Sequence, residues 1–284
     1  MPNTLKILAA DNHDRDAAGL LYVYPVVSRR AGGVSVGINL NPNNACNWAC
    51  VYCQVPDLRR GTAPVIDLAR LERELRGFLS DLLRGDFMQT RVPEDARRIV
   101  DVALSGNGEP TSAAEFPQVV DLIGGLLAEE GLAGKVVPRL ITNGSLMGRA
   151  AVQRGLARLG ELGGEAWFKV DAGSTARLSA INGISGDPRR IARHLGRCAD
   201  LCPTWVQTCA FAIDGRGPTD ADLADYLDLL ERAGLGKLRG VLLYGLARPS
   251  MQPDATHLSA LSAEALQRIA KLIREKGLTV KVSP

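Results

Sequence analysis

Six cysteines stand in two groups of three, and the first group has the spacing of a metal site. Cys46, Cys50 and Cys53 lie in the run Asn41-Pro-Asn-Asn-Ala-Cys-Asn-Trp-Ala-Cys-Val-Tyr-Cys-Gln54, a C-x3-C-x2-C pattern. Thiolates on one short loop suit an iron–sulfur cluster, and three ligands on a cubane leave one iron open for a substrate. Structural zinc wants a closed set of four ligands. The next cysteine is Cys198, and the histidines, His13, His194 and His257, are all remote in sequence. A zinc-stapled module would need one of these as a distant fourth ligand.

The second group reads differently. Ile191, Leu195 and Cys198 fall at i, i+4 and i+7, which puts Cys198 on the apolar face of a helix. Cys202 precedes Pro203, and Cys209 shares a strand face with Trp205, Phe211 and Ile213. Cysteine is a common small core residue, so this trio is expected in the core rather than on a second cluster.

Four further strings place polar chemistry beside apolar runs. Leu104-Ser-Gly-Asn-Gly-Glu-Pro-Thr111 holds Gly106 and Gly108 on either side of Asn107, where a backbone without Cβ atoms can approach a ligand, and then the carboxylate of Glu109. Leu140-Ile-Thr-Asn-Gly-Ser145 puts Thr142 and Asn143 where a strand breaks into a turn. Trp167-Phe-Lys-Val-Asp-Ala-Gly173 sets Lys169 and Asp171 two apart, on one face of a strand. Tyr244-Gly-Leu-Ala-Arg-Pro249 ends in Arg248, whose guanidinium suits a carboxylate or phosphate.

The elements that must position these residues alternate. Residues 21–28 and 34–40 read as strands around an Ala31-Gly32-Gly33 turn. Leu68, Leu71, Leu75, Phe78 and Leu82 recur at helical spacing up to Gly85. Strands are expected at 99–104, 136–142, 166–170, 205–213, 240–244 and 278–282. Helices are expected over 113–130 behind a Ser112/Glu115 capping box, over 146–162, from Asp187-Pro188 to 201, from Thr219 to Gly234 and from Ser262 to Gly277. Such alternation implies a parallel sheet with right-handed crossovers. The unit count fits an α/β fold, an open partial (β/α)6 TIM-type barrel preceded by an N-terminal β-hairpin. The expected division is an extension with a hairpin strand over 1–32 and the barrel over 33–284. Parallel barrels place their chemistry at the carboxyl ends of the strands, where every string above falls.

Composition bounds the function. The 284 residues are 46% apolar and 23% charged, with a net charge of +3, ordinary for a globular protein and far less basic than a dedicated nucleic-acid binder. The pairs Arg29-Arg30, Arg59-Arg60, Arg97-Arg98 and Arg189-Arg190 read as solvated faces. No stretch is apolar for long enough to span a membrane, and the first residues look like neither a signal nor a transit peptide. A cytoplasmic protein without a membrane partner is expected, and cysteines used for metal or redox chemistry rather than disulfides.

The cysteine loop resembles the radical SAM superfamily signature C-x3-C-x-Φ-C, with Tyr52 at the aromatic position Φ. The resemblance implies a [4Fe-4S] cluster on Cys46, Cys50 and Cys53, and S-adenosyl-L-methionine (SAM) chelated to the open iron with its adenine beside Tyr52. It implies that the Gly106–Glu109 loop meets the SAM methionine amine and that Thr142 and Asn143 stand beside the SAM pocket. Lys169 and Asp171 would take the ribose and carboxylate of SAM, or the substrate. The implied activity is reductive cleavage of SAM to a 5′-deoxyadenosyl radical that abstracts hydrogen, fed by a donor such as a flavodoxin or ferredoxin.

Three runs, Ser105–Thr111, Phe168–Gly173 and Tyr244–Pro249, also look like the iron–sulfur oxidoreductases related to tRNA wyosine-base synthases, which implies an RNA base as substrate. Those enzymes carry a second cluster on cysteines ahead of the signature loop, and no cysteine precedes Cys46 here. The Lys-x-Asp strand also resembles glycyl-radical-enzyme activases, which implies a protein partner as the alternative substrate.

Overall fold

The computed structural model describes residues 8, 18–28 and 32–283. Ala31 of the expected turn, the Arg29-Arg30 pair, His13 and the N-terminal residues 1–7 lie outside them.

Eight strands form one sheet in chain order: β1 (Val23–Ser28), β2 (Gly33–Asn39), β3 (Ile99–Ser105), β4 (Val137–Thr142), β5 (Glu165–Lys169), β6 (Thr204–Cys209), β7 (Leu238–Tyr244) and β8 (Val280–Ser283). β1 pairs antiparallel with β2, and every later neighbour is parallel. The sheet curls into an open half-barrel, the partial TIM-type architecture that the alternation predicts. Helices α1 (Leu68–Arg84), α2 (Phe116–Glu129), α3 (Ala150–Glu161), α4 (Thr175–Asn182), α5 (Pro188–Leu201), α6 (Asp220–Ala233) and α7 (Ala263–Glu275) run between the strands. No helix among the described residues is long and apolar enough to cross a membrane.

Local chemistry accounts for most helix ends. Asp67 caps α1 by accepting from the Arg70 N–H at 2.9 Å, and Leu71, Leu75, Phe78, Leu79 and Leu82 bury one stripe. Asp187 caps α5 with Pro188 at its first position, Thr219 and Asp222 form a complete capping box on α6, and Ser262 caps α7.

The structure corrects three boundaries and, besides the five-residue helical segment Phe87–Arg91, adds an eight-residue helix. Ser112 does not cap α2, because its hydroxyl donates to the Glu109 carbonyl and accepts from the Ala63 N–H; Glu115 takes the cap position without a side-chain bond. α3 begins at Ala150 rather than 146, since residues 144–149 form tight turns such as Met147 N–H to Gly144 O. The strand expected over 205–213 divides at Ala210: β6 ends with its partner β7, and Phe211–Ile213 pairs antiparallel with Leu258–Ala260. The added helix is α4, which ends at Gly183 in the left-handed conformation.

The inner face of the half-barrel is unusually polar. Parallel barrels fill this space with layers of branched apolar residues. Here Ser35, Asp101, Arg139, Trp167, Lys169 and Gln207 line a cavity. Parallel register sets Ser35 beside Asp101 and Arg139 beside Glu165. Ser35 donates to Asp101, and the Arg139 guanidinium ion-pairs with both Asp101 and Glu165, at 2.8 Å to the latter. Arg139 also stacks 4.2 Å from the Trp167 ring centroid, and the Trp167 indole N–H donates to Glu165 at 2.8 Å.

Asp101 and Arg139 are buried, so removing one partner strands a charge. Asp101→Ala is expected to lower unfolding free energy by about 3–5 kcal/mol, read from urea denaturation, whereas Glu72→Ala, which removes an exposed i,i+4 pair with Arg76 on α1, loses less.

Candidate functional site

The loop between β2 and α1 carries the three cysteines, and almost none of it is regular. A two-residue parallel bridge joins Ala45–Cys46 to Arg59–Arg60. Elsewhere the barrel holds the loop by its backbone. Ala49 N–H donates to Asn182 O at 3.0 Å and Val51 N–H to Ile181 O at 2.9 Å, which uses the last carbonyls of α4. Arg60 clasps the Asn47 and Gly183 carbonyls. On the other side Ser250 donates to Val51 O at 2.6 Å, and Gln252 donates to the carbonyls of Cys53 and Val55. Asn41 folds the loop's start by donating to Ala45 O at 2.9 Å.

All three cysteines line one cavity of about 560 Å³ together with Tyr52, Gly106, Asn107, Gly108, Glu109, Asn143, Lys169 and Arg248. The cavity lies at the carboxyl ends of the parallel strands and continues down the lumen to Asp101 and Arg139. Its size is that of a small-molecule site. Thr142 and Asp171 do not line it.

Glu109 ties two strand ends together. It is buried, and its carboxylate accepts from the Thr111 N–H (3.1 Å), the Thr111 and Thr142 hydroxyls (both 2.6 Å) and the Asn143 N–H (2.6 Å). Burial pushes its pKa up, and the donors from Thr111, Thr142 and Asn143 work against that rise. Asn143 then donates to Asn47 in the cysteine loop at 2.8 Å. The two glycines allow the close approach. Gly106 has φ +129°, and a Cβ on Gly108 would sit 2.1 Å from the Ala45 carbonyl oxygen.

Asp171 is a second knot. It accepts from the Tyr52 hydroxyl (2.5 Å), the Asn182 amide (2.8 Å) and the Cys209 N–H (2.9 Å). Burial and the Asp171 carboxylate push the Tyr52 phenol well above its ordinary pKa, which keeps it a donor. Lys169 places its ammonium 4.7 Å from the Tyr52 ring centroid. Burial works against that charge, but Tyr244, Asp171, Cys50 and Cys209 outweigh it and hold its pKa above the ordinary value. The cavity thus keeps a protonated lysine next to the cysteine loop.

Cys46 and Cys50 each have a nearby donor. Trp48 N–H lies 3.5 Å from Cys46 Sγ, and the Asn182 amide lies 3.3 Å from Cys50 Sγ. Burial is the main cause of the raised pKa values, about 11 for Cys46 and about 12 for Cys50. Among the described residues, no three His, Cys, Asp or Glu side chains converge as they would on a single metal ion. The second trio is dispersed. Cys198 meets Thr204, Cys202 meets the Gly164 carbonyl, and Cys209 faces the cavity.

Asn182, Gln207 and the Asp101–Arg139–Glu165 set are site residues that motif reading passes over. The Asn182-Gly183 pair is a helix C-cap signal that could have marked α4. Nothing in the sequence ties Arg139 to its partners across three strands.

No family model matches this chain, and no curated protein matches it. Among solved structures, a radical SAM methyltransferase from Sphaerobacter thermophilus is similar at a TM-score of 0.57 and 16% identity. The match covers 88% of this chain and 66% of that one, so the chain spans just under two thirds of that enzyme's length. A histidine-tagged anSMEcpe with bound AdoMet is similar at a TM-score of 0.44 and 16% identity, over 74% of this chain and 50% of that one. At this identity the first likeness shows the fold, the open partial barrel.

The raised thiol pKa values set a pH dependence for the metal-free protein. Below its pKa a thiol's reactive fraction grows about tenfold per pH unit. Iodoacetamide labelling of Cys46 and Cys50, followed by peptide mass spectrometry, should still be accelerating at about pH 10. A rate that levels near about pH 9 would show thiols no more buried than a free cysteine.

Proposed function

We propose that this protein is a radical SAM enzyme, with a [4Fe-4S] cluster held by Cys46, Cys50 and Cys53. The observation that carries the reading is that all three cysteines of the C-x3-C-x2-C loop face one cavity at the carboxyl ends of a half-barrel's strands. Thiols spread around a cavity wall suit ligands that each bind a different iron.

The donor set fits the group. The loop supplies three thiols, hydrogen-bond donors stand at Cys46 and Cys50, and the cavity has volume left beside them. Thiols with raised pKa values must lose their protons on loading, so loading releases protons and is favoured as pH rises. When bound, such a cluster in its reduced state supplies one electron to the sulfonium of SAM, whose C5′–S bond then breaks to methionine and a 5′-deoxyadenosyl radical.

The chain's own task is to bind and to exclude water. Tyr52, held by Asp171 and Phe211, offers a ring edge for an adenine. The Gly106–Glu109 loop presents open backbone, and Lys169 brings a positive charge for a carboxylate. Asn143 and Arg248 complete the polar wall. Thr142 and Asp171 act behind that wall, through Glu109 and Tyr52. An external one-electron donor of the flavodoxin or ferredoxin type completes the cycle. The three runs similar to wyosine-base synthases support an RNA base as the molecule that loses hydrogen.

Anaerobic reconstitution with iron and sulfide should give a brown protein with about four irons per chain. Dithionite and SAM should then yield 5′-deoxyadenosine and methionine, and Cys50→Ala should abolish both. A colourless protein that binds about one zinc would instead identify a zinc-stapled module.

A further inference from the structure

Asn182 closes α4 and plays no part in the binding roles above. Its side chain is wholly buried. Its amide nitrogen lies 2.8 Å from an Asp171 oxygen and 3.3 Å from Cys50 Sγ. Both neighbours are acceptors, since Asp171 collects donors from three directions and a metal-bound cysteine is a thiolate. Only the NH2 end of the amide carries hydrogens, one for each of them. A flipped amide would turn its oxygen on a carboxylate and a sulfur, so the surrounding network assigns the orientation.

The opposite end of the same amide shows which contact the site favours. The Asn182 oxygen is buried and finds no donor among the described residues. An amide retained only to stabilise a helix end would meet its oxygen, because an unmet buried acceptor is destabilising. Asn182 leaves its oxygen unmet and keeps its hydrogens on Asp171 and Cys50. Tyr52 and the Cys209 N–H fix Asp171 in turn, so the amide has no room to swing away from the sulfur.

We propose that Asn182 is a positioning residue that raises the reduction potential of the cluster by donating a hydrogen bond to the Cys50 sulfur. This rests on the cluster reading above. Reduction places one more electron on the cluster and its thiolates, and a donor aimed at a sulfur stabilises the more negative state. The similar donor at Cys46 is a backbone N–H at 3.5 Å, which no side-chain substitution removes.

The test uses the reconstituted protein and two substitutions, Asn182→Leu, matched in shape, and Asn182→Ala, which cannot overfill the site. Iron content, circular dichroism and the midpoint potential from an anaerobic EPR titration are measured for each. Both variants should keep the wild-type iron content and shift the midpoint to more negative potential. In protein that keeps Asn182, carries Asn47→Gln to remove the asparagine next to Cys46 and is labelled with 15N-asparagine, pulsed EPR of the reduced cluster should show coupling to an asparagine nitrogen. This measurement decides the matter if neither variant folds. An unchanged midpoint in an iron-replete variant overturns the proposal, as does absence of the nitrogen coupling. Loss of iron from both variants with the fold intact also overturns it, because Asn182 would then hold the loop rather than tune the cluster. If the wild-type protein takes up no cluster, it is the underlying reading that fails.

Discussion

The carboxylate of Asp171 joins the cysteine loop to the barrel. Its three donors come from Tyr52 in the loop, Asn182 at the end of α4 and the Cys209 backbone at the end of β6. A loop without a ladder must recover its ordering entropy, about 1–2 kcal/mol per residue for the backbone, from contacts outside itself. Here those contacts are the α4 carbonyls, the Ser250–Gln252 segment and the bond from Tyr52 to Asp171. Without Asp171, Tyr52 loses a buried acceptor and Asn182 loses the partner that aims it. The geometry of three thiols therefore depends on a residue that touches no sulfur.

Glu109 plays the same part on the opposite wall. Its four donors draw the turn after β3 onto the turn after β4, and Asn143 carries that link into the cysteine loop. Both carboxylates are met by several donors, the condition under which a buried acid stabilises rather than disrupts. The strand ends are thus bound to one another by hydrogen bonds in a region where apolar packing would have filled the cavity.

The lumen below shows the other side of that arrangement. An inner face carrying Asp101, Arg139, Glu165 and Lys169 cannot be the hydrophobic core, so the core moves outward. It lies between the sheet's outer face and the helices, where Phe116, Ile123, Leu140, Leu156 and Leu195 are fully buried. The half-barrel keeps a cavity because the helix layer supplies the apolar burial that folding needs.

The alternation of apolar strands and capped helices, and the C-x3-C-x2-C loop, were legible because both rest on neighbours in the chain. Periodicity, caps such as Thr219 with Asp222, and cysteine spacing are local properties, and they determined the half-barrel and the position of the thiols at its carboxyl end. The sequence also placed Glu109, Lys169 and Asp171 at strand ends. Only the tertiary structure decided what each one touches. Asp171 turns to Tyr52 and Asn182 rather than into the cavity, Glu109 meets Thr142 and Asn143, and Ser112 is taken from its helix cap by Glu109 and Ala63. Those choices depend on strand register and on burial, which bring residues 119 or 132 positions apart within hydrogen-bond distance. Spacing along the chain carries no record of them.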